Sequence, residues 1–136
     1  MINITCERNN NEVSLSGLPQ ALRGIKQSIL DLIKSEGQQA CIIQCKVVDP
    51  SPYEVCLTSL SIIKTDNSIK VSICGDSLKI EGDIEKLETF ANWFDFDDDT
   101  WSGYHVHFDS LGCEQWVNVA SIPLIISVQN SVERVF

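Results

Sequence analysis

The most chemically suggestive stretch of the sequence is a short alternating run in which two histidines and an aspartate recur at every second residue. His105, His107 and Asp109 would share one face of a β-strand, because successive side chains of a strand point to opposite sides. With a fourth ligand such as Cys113 or Glu114, these groups could hold zinc or iron. An amphipathic strand with a solvated polar face gives the same pattern without a metal. We therefore expect no bound metal or other cofactor, and we keep metal binding by the His-x-His-x-Asp strand as the alternative function.

A second group of candidate residues is the acidic run from Asp95 to Asp99, which ends just before Trp101. Its spacing lacks the pattern and the closing glutamate of an EF-hand calcium loop. Large aromatic residues are interleaved with the acids, as expected of an interface with a basic protein, where rings supply affinity and charges steer association. Packing into the core would also explain Phe94, Trp101 and Tyr104 individually. We predict a partner-binding surface composed of Asp95, Asp97, Asp98, Asp99, Trp101, His105, His107 and Asp109.

Nucleophilic catalysis finds little support among the six cysteines and two histidines of the chain. The sequence has no nucleophile elbow, no local Cys/His signature and no glycine-rich phosphate loop. Cys41 and Cys45 would share a strand face with Ile43, which indicates a buried face rather than a redox pair. We therefore predict that the chain is not an enzyme and has no catalytic residues.

The distribution of charge narrows the choice of partner. The formal net charge is −9, and the segment from Ile80 to Ala120 contains ten acids and only one base, Lys86, so the rest of the chain is neutral. Nucleic acid and anionic membranes are bound through basic patches, so both are poor candidate partners. A basic protein is the expected partner.

Length and composition predict one soluble domain spanning residues 1–136. The first residues lack the basic start and apolar run of a secretory signal, and no stretch has the roughly 20 apolar residues of a membrane span. Reduced thiols are more plausible than three disulfides in a chain of this kind. We expect a cytoplasmic location.

Two helices are expected to support these residues. Apolar residues recur at helical spacing from Pro19 to Glu36, with a proline in the first turn and Gly37 placed to end the helix. Gly82 and Asp83 would cap a second helix, whose apolar stripe contains Ile84, Leu87, Phe90, Ala91 and Phe94. Capping accounts for Asp83 without any function.

The remaining periodic segments read as strands. A turn of three asparagines separates two alternating runs that should form a hairpin, residues 2–7 and 12–16. Tight-turn residues separate three further runs that should form an antiparallel meander, residues 56–64, 69–74 and 77–81. Other strands are expected at residues 40–48, 104–109, 117–120 and 123–128. The predicted fold is α+β, with a largely antiparallel sheet and two helices packed on one face.

The last third of the chain also carries a recognisable order of motifs. A helix contains Leu87 to Ala91, an acidic loop follows, and then come Gly103 to Asp109 and Ser121 to Ile126. This order resembles the immunity protein 32 family of bacterial polymorphic toxin systems, with its helix, its Gly-x-His-x-His strand and its short apolar strand introduced by Ser-x-Pro or Ser-x-Glu. The resemblance implies a small cytosolic antitoxin that binds and neutralises a cognate toxin.

Overall fold

The computed structural model describes residues 1–9, 11–111 and 115–131, and this part of the chain contains two α-helices, one 3₁₀ helix and nine strands. The α+β class predicted from the sequence is confirmed. The helices are α1 (Pro19–Lys34), α2 (Ile84–Ala91) and the 3₁₀ helix Asn92–Phe94. The strands are β1 (Asn3–Cys6), β2 (Val13–Gly17), β3 (Ala40–Gln44), β4 (Val55–Leu57), β5 (Ser59–Lys64), β6 (Lys70–Cys74), β7 (Ser77–Gly82), β8 (His105–Phe108) and β9 (Leu124–Val128).

These strands form two sheets. The first has five strands in the order β4-β1-β2-β9-β8, and the second has four in the order β3-β5-β7-β6. Most pairs are antiparallel, including the predicted hairpin of β1 and β2, but β2 pairs with β9 in parallel and β5 pairs with β7 in parallel. The strand order places β8, which carries the two histidines, at one end of the first sheet.

The predicted meander is wrong in its pairing. The run 56–64 is divided at Thr58 between β4 in the first sheet and β5 in the second. Of the three runs, only β6 and β7 pair as a hairpin, across a turn in which Gly75 has a φ of 63°. β7 lies between β5 and β6 in the second sheet, so β5 does not pair with β6. Alternation of apolar residues specifies which face of a strand is buried, but it does not specify which strand lies beside it.

The two helices contribute buried faces to one apolar core. Leu22, Ile25, Ile29 and Leu32 of α1 are buried, and the Lys64 ammonium caps the end of the helix by donating to the Leu32 and Ser35 carbonyls at 2.9 and 2.6 Å. α1 packs against α2, β2 and β3. Neither helix of the described chain is long and apolar enough to cross a membrane.

Helix α2 begins as predicted, because the Asp83 carboxylate accepts a hydrogen bond from the Lys86 backbone N–H at 2.8 Å. Its apolar stripe differs in two places from the prediction. Ile84 is 49% exposed, and Phe94 lies in the 3₁₀ helix rather than in α2. The change to 3₁₀ geometry tightens the end of the helix. The chain then enters the acidic run from Asp95 to Asp99, which we call the acidic loop.

The strand predicted at residues 117–120 is wrong, because Val117 forms only a single bridge, with Ile69. The segment from Trp116 to Ile122 instead follows the outer edge of β6. Asn118 N–H bonds to the carbonyl of Ile69, just before β6, at 2.7 Å, and Ile122 N–H bonds to the Val71 carbonyl within β6 at 2.9 Å. The outer edge of β6 is therefore partly covered.

Candidate partner-binding groove

A groove of about 750 Å³ lies between the 3₁₀ helix with its following loop and the edge strand β8. Aromatic residues and carboxylates line it together, as the interleaved sequence suggested. We call it the acidic groove, and the lining residues that bear on its chemistry are Trp93, Asp95, Phe96, Asp97, Asp99, Trp101, Tyr104 and Val106.

A cluster of packed aromatic rings in the core adjoins this groove through Trp93. Phe90 is fully buried, and its ring centroid lies 5.4 Å from that of Phe94 and 4.8 Å from that of Phe108, edge to face in both cases. Trp93 extends the cluster, with its ring 5.3 Å from Phe108. Edge-to-face pairs of this kind add stability beyond the area they bury. Trp93 therefore joins the groove to a well-packed part of the core.

Two aromatic residues that core packing would also explain line the groove instead. Trp101 and Tyr104 stack edge to face with ring centroids 5.1 Å apart, and Tyr104 is 38% exposed. Phe94 does pack into the core, with no exposed surface. Trp101, one of the predicted contact residues, thus borders the acidic groove.

The acidic loop is fastened to the rest of the protein at several points. The Arg23 guanidinium, on α1, donates to the Phe96 carbonyl and to the Asp98 carboxylate. Asn130 donates to the carbonyls of Asp98 and Thr100, at 2.8 and 2.9 Å. These bonds hold the loop backbone in one conformation, so the carboxylates are presented in a fixed geometry.

Ion pairing divides the four aspartates into two kinds. Asp98 is paired with Arg23, and Asp95 is paired with the Lys26 ammonium at 3.2 Å. Within the described ranges, no basic side chain pairs with Asp97 or Asp99, and both are exposed. Among the four loop aspartates, the unpaired negative charge is therefore on Asp97 and Asp99.

The two cations that neutralise the loop were not anticipated from the sequence. Arg23 and Lys26 lie three residues apart on α1, beside the buried positions Leu22 and Ile25. That spacing places both bases on one helix face, which was the available signal. Nothing local pairs this face with aspartates about seventy residues away in the chain.

The histidines lie on the other face of β8. His105 and His107 are exposed with ring centroids 5.2 Å apart, whereas Val106 faces the groove and Phe108 is buried. The alternation predicted for this strand is confirmed. Because the histidines point away from the groove, the predicted contact set is divided between two faces of the first sheet.

The structure adds little support for a metal site at His105, His107 and Asp109. In the part of the chain that the structure describes, no three His, Cys, Asp or Glu side chains are grouped to hold a metal ion. The Asp109 carboxylate accepts the Leu111 backbone N–H at 3.0 Å and closes a local turn. Cys113 and Glu114, the suggested fourth ligands, lie outside the described residues.

The cysteines that the structure describes are free thiols: Cys6, Cys41, Cys45, Cys56 and Cys74. Burial raises the pKa of Cys45 to about 11, with a smaller contribution from Cys56, and burial also raises the pKa of Cys6 and Cys41. A reactive cysteine needs a lowered pKa. These three thiols are therefore protonated at neutral pH and unsuited to nucleophilic attack.

We compared the chain with known protein families, curated proteins and solved structures, and none of the three comparisons found a match. The function is therefore inferred from the geometry and charge of the acidic groove.

Proposed function

We propose that this chain is a cytoplasmic immunity protein, an antitoxin that binds a basic protein toxin through the acidic groove and neutralises it. The observation that carries the proposal is the pair of exposed carboxylates, Asp97 and Asp99, which have no described cation beside them and stand next to exposed aromatic surface. A groove of this composition suits an arginine or lysine side chain presented by another protein.

Two physical effects favour such a cation in the groove. A guanidinium can form charge-assisted hydrogen bonds with carboxylates and can also lie against the face of an aromatic ring. Trp93 and Tyr104 supply rings within the same groove as Asp97 and Asp99. The excess negative charge of the surrounding segment, from Ile80 to Ala120, attracts a basic partner over a longer range and raises its association rate.

The immunity role is further supported by the resemblance of the segment from Leu87 to Val128 to the immunity protein 32 family. Toxins that attack nucleic acid carry basic surfaces, because their substrates are polyanions. An acidic protein that covers such a surface would block access to the substrate. Inhibition by occlusion needs no catalytic group in the antitoxin.

The direct test is co-expression with the protein encoded by the neighbouring gene, followed by purification and titration of the two proteins. We expect a complex whose affinity falls by about tenfold or more in the double variant D97K/D99K, because reversal of both charges removes the attraction and adds repulsion. The matched control is D66K/D76K, which makes the same change of charge at two exposed turn residues. Absence of a complex, or an equal loss in both variants, would contradict the proposal.

The alternative function is metal binding through His105, His107 and Asp109. Its support is the proximity of the two imidazoles, with ring centroids 5.2 Å apart. Elemental analysis of the purified protein, together with its melting temperature before and after chelation, tests this alternative. A stoichiometric metal and a lower melting temperature after chelation would favour it, and an unchanged melting temperature with no metal would remove it.

A further inference from the structure

Strand β3 is an open edge of the second sheet. It pairs with β5 on one side, and no element of the described chain lies along its other side. The Gln39 carbonyl accepts from Lys64 N–H, and Cys45 N–H donates to the Thr58 carbonyl, each at 2.9 Å, so the odd-numbered positions are bonded towards β5. Because bonded and non-bonded positions alternate in an antiparallel pair, the N–H and C=O groups of Ala40, Ile42 and Gln44 face outwards.

This edge lacks the usual protection against pairing with another chain. Natural edge strands carry lysine, proline, a bulge or a covering segment. The sequence from Gln38 to Cys45 has no charged residue and no proline. Ile42, at the centre of the strand, is 65% exposed. The opposite edge of the same sheet, along β6, is instead partly covered by the segment from Trp116 to Ile122.

Apolar side chains that pack against the core extend as far as the β3 edge. Cys41 and Ile43 lie on the inner face of β3, and both are only half-buried although they pack against the core. Ile33 of α1, the helix that packs on β3, is half-buried in the same way. A strand added beside β3 would cover these side chains further, so backbone pairing and apolar burial act together.

We infer that β3 pairs with the β3 strand of a second copy of this chain and that the protein forms a two-fold dimer. With the axis at Ile42, Ala40 of one copy lies opposite Gln44 of the other, and the two Ile42 side chains meet. Such a contact is closed and self-complementary, since both copies use the same surface. The outward N–H and C=O groups of each copy then bond to the other, and the two second sheets become one continuous sheet.

Charge favours a second copy as the occupant rather than the basic partner. The excess acids lie between Ile80 and Ala120, whereas the rest of the chain, which includes β3, is neutral in sum. The strand itself has no charged residue from Gln38 to Cys45, so pairing of two copies places no like charges opposite each other along β3. A basic protein would gain no electrostatic attraction at this edge. The inference is independent of the proposed function, because it rests on the second sheet and the acidic groove borders the first.

Sedimentation of the purified chain from micromolar to millimolar concentration tests the dimer. We expect the mass to rise from that of the 15.2 kDa monomer towards twice that value. The variant I42K should remain monomeric at every concentration, because a lysine at the centre of the edge would bury its charge against its own copy. The matched control is V119K, which makes the same change at a residue that is 72% exposed, and it should dimerise like the parent chain.

Hydrogen exchange provides a second measurement that does not depend on a substitution. The amides of Ile42 and Gln44 should become protected as concentration rises, whereas those of Cys41 and Ile43, bonded within the monomer, should be protected throughout. A parent chain that stays monomeric at millimolar concentration would overturn the inference. So would a dimer that persists in I42K, an assembly larger than a dimer, or protection at another edge in place of β3.

Discussion

The acidic groove and the edge of β3 are two open regions of the same molecule with opposite surface chemistry. The groove combines Asp97 and Asp99 with aromatic rings, and its backbone is held by side chains from distant segments. The β3 edge offers backbone hydrogen-bonding groups and an exposed isoleucine without any charge. In the two proposals, the placement of charge separates recognition of a basic partner from recognition of a second copy.

The two edge strands sharpen this comparison. β8 pairs only with β9 among the described strands, and the Val128 N–H bonds to the Tyr104 carbonyl at 2.8 Å. By alternation along the strand, the backbone groups of His105 and His107 point outwards, as those of Ile42 do in β3. β8, however, lies beside the acidic groove. A second copy at β8 would bring like charges together, so self-pairing is expected at β3 alone.

The largest expected effect comes from the aromatic cluster beside the groove. Phe90→Ala removes a fully buried ring from the aromatic cluster and should lower the free energy of unfolding by about 3–5 kcal/mol. The control in the same helix is Ile84→Ala, which should cost much less because Ile84 is 49% exposed. Urea unfolding of both variants measures the difference. Equal losses would contradict the larger contribution of the aromatic cluster to stability.

Salt should affect the two regions in opposite directions. Raising ionic strength from about 0.1 M to about 1 M shortens the screening distance from about 10 Å to about 3 Å. Binding of a basic partner should then weaken by about tenfold through a slower association rate. The β3 dimer should hold or strengthen, because screening also reduces repulsion between two chains of net charge −9. Titration with the partner and sedimentation of the dimer, each at both salt concentrations, measure these effects. If salt weakened both associations equally, the different roles of charge in the two regions would be contradicted.

A smaller effect is expected from the tether between α1 and the acidic loop. Arg23→Ala removes hydrogen bonds to Phe96 and Asp98, and should cost about 1 kcal/mol, since the pair is partly exposed. Amide exchange should accelerate in residues 95–99 and remain unchanged in β3. Arg8→Ala, which removes a more exposed ion pair with Glu54, is the control and should have almost no effect. Unchanged exchange in the loop would show that the tether does not order it.

The smallest effect is expected from Asp83, which belongs to the acidic segment from Ile80 to Ala120 and caps helix α2. Hydrogen bonds from Lys86 lower the pKa of Asp83 below its ordinary value of 3.8. A depressed pKa contributes stability above pH 3.8, and this contribution is lost as pH falls through the lower folded value. Asp83→Asn should therefore lower the melting temperature slightly near pH 7 and hardly at all in strong acid. Partner affinity should not change, and a loss there would give Asp83 a role beyond the cap.

Local features of the fold followed from the sequence. The hairpin of β1 and β2, the buried stripe of α1, the Asp83 cap and the alternation of β8 all depend on residues close in the chain. The parallel pairing of β5 with β7 did not follow, because both strands bury similar residues and periodicity does not choose between neighbours.

The residue types of the candidate groove could be predicted from the sequence, but the ion pairing of the aspartates could not. The interleaving of aspartates and aromatics indicated a surface of this kind, and Trp101 does line it. The pairing of Asp95 and Asp98 with α1 depends on tertiary contacts between distant segments. For the same reason, the sequence did not show that His105 and His107 lie on the face away from the groove. Their role in partner binding stays a prediction.

The most direct test of the central claim is a nuclear magnetic resonance titration of the protein with N-acetylarginine amide, a minimal model of a partner's arginine. We expect shifts confined to residues of the acidic groove, among them Trp93, Asp97, Asp99 and Val106, with β3 unaffected. These chemical-shift changes should be absent in the variant D97N/D99N. Shifts spread evenly over the surface, or shifts of equal size in that variant, would contradict the claim that the groove recognises a basic partner.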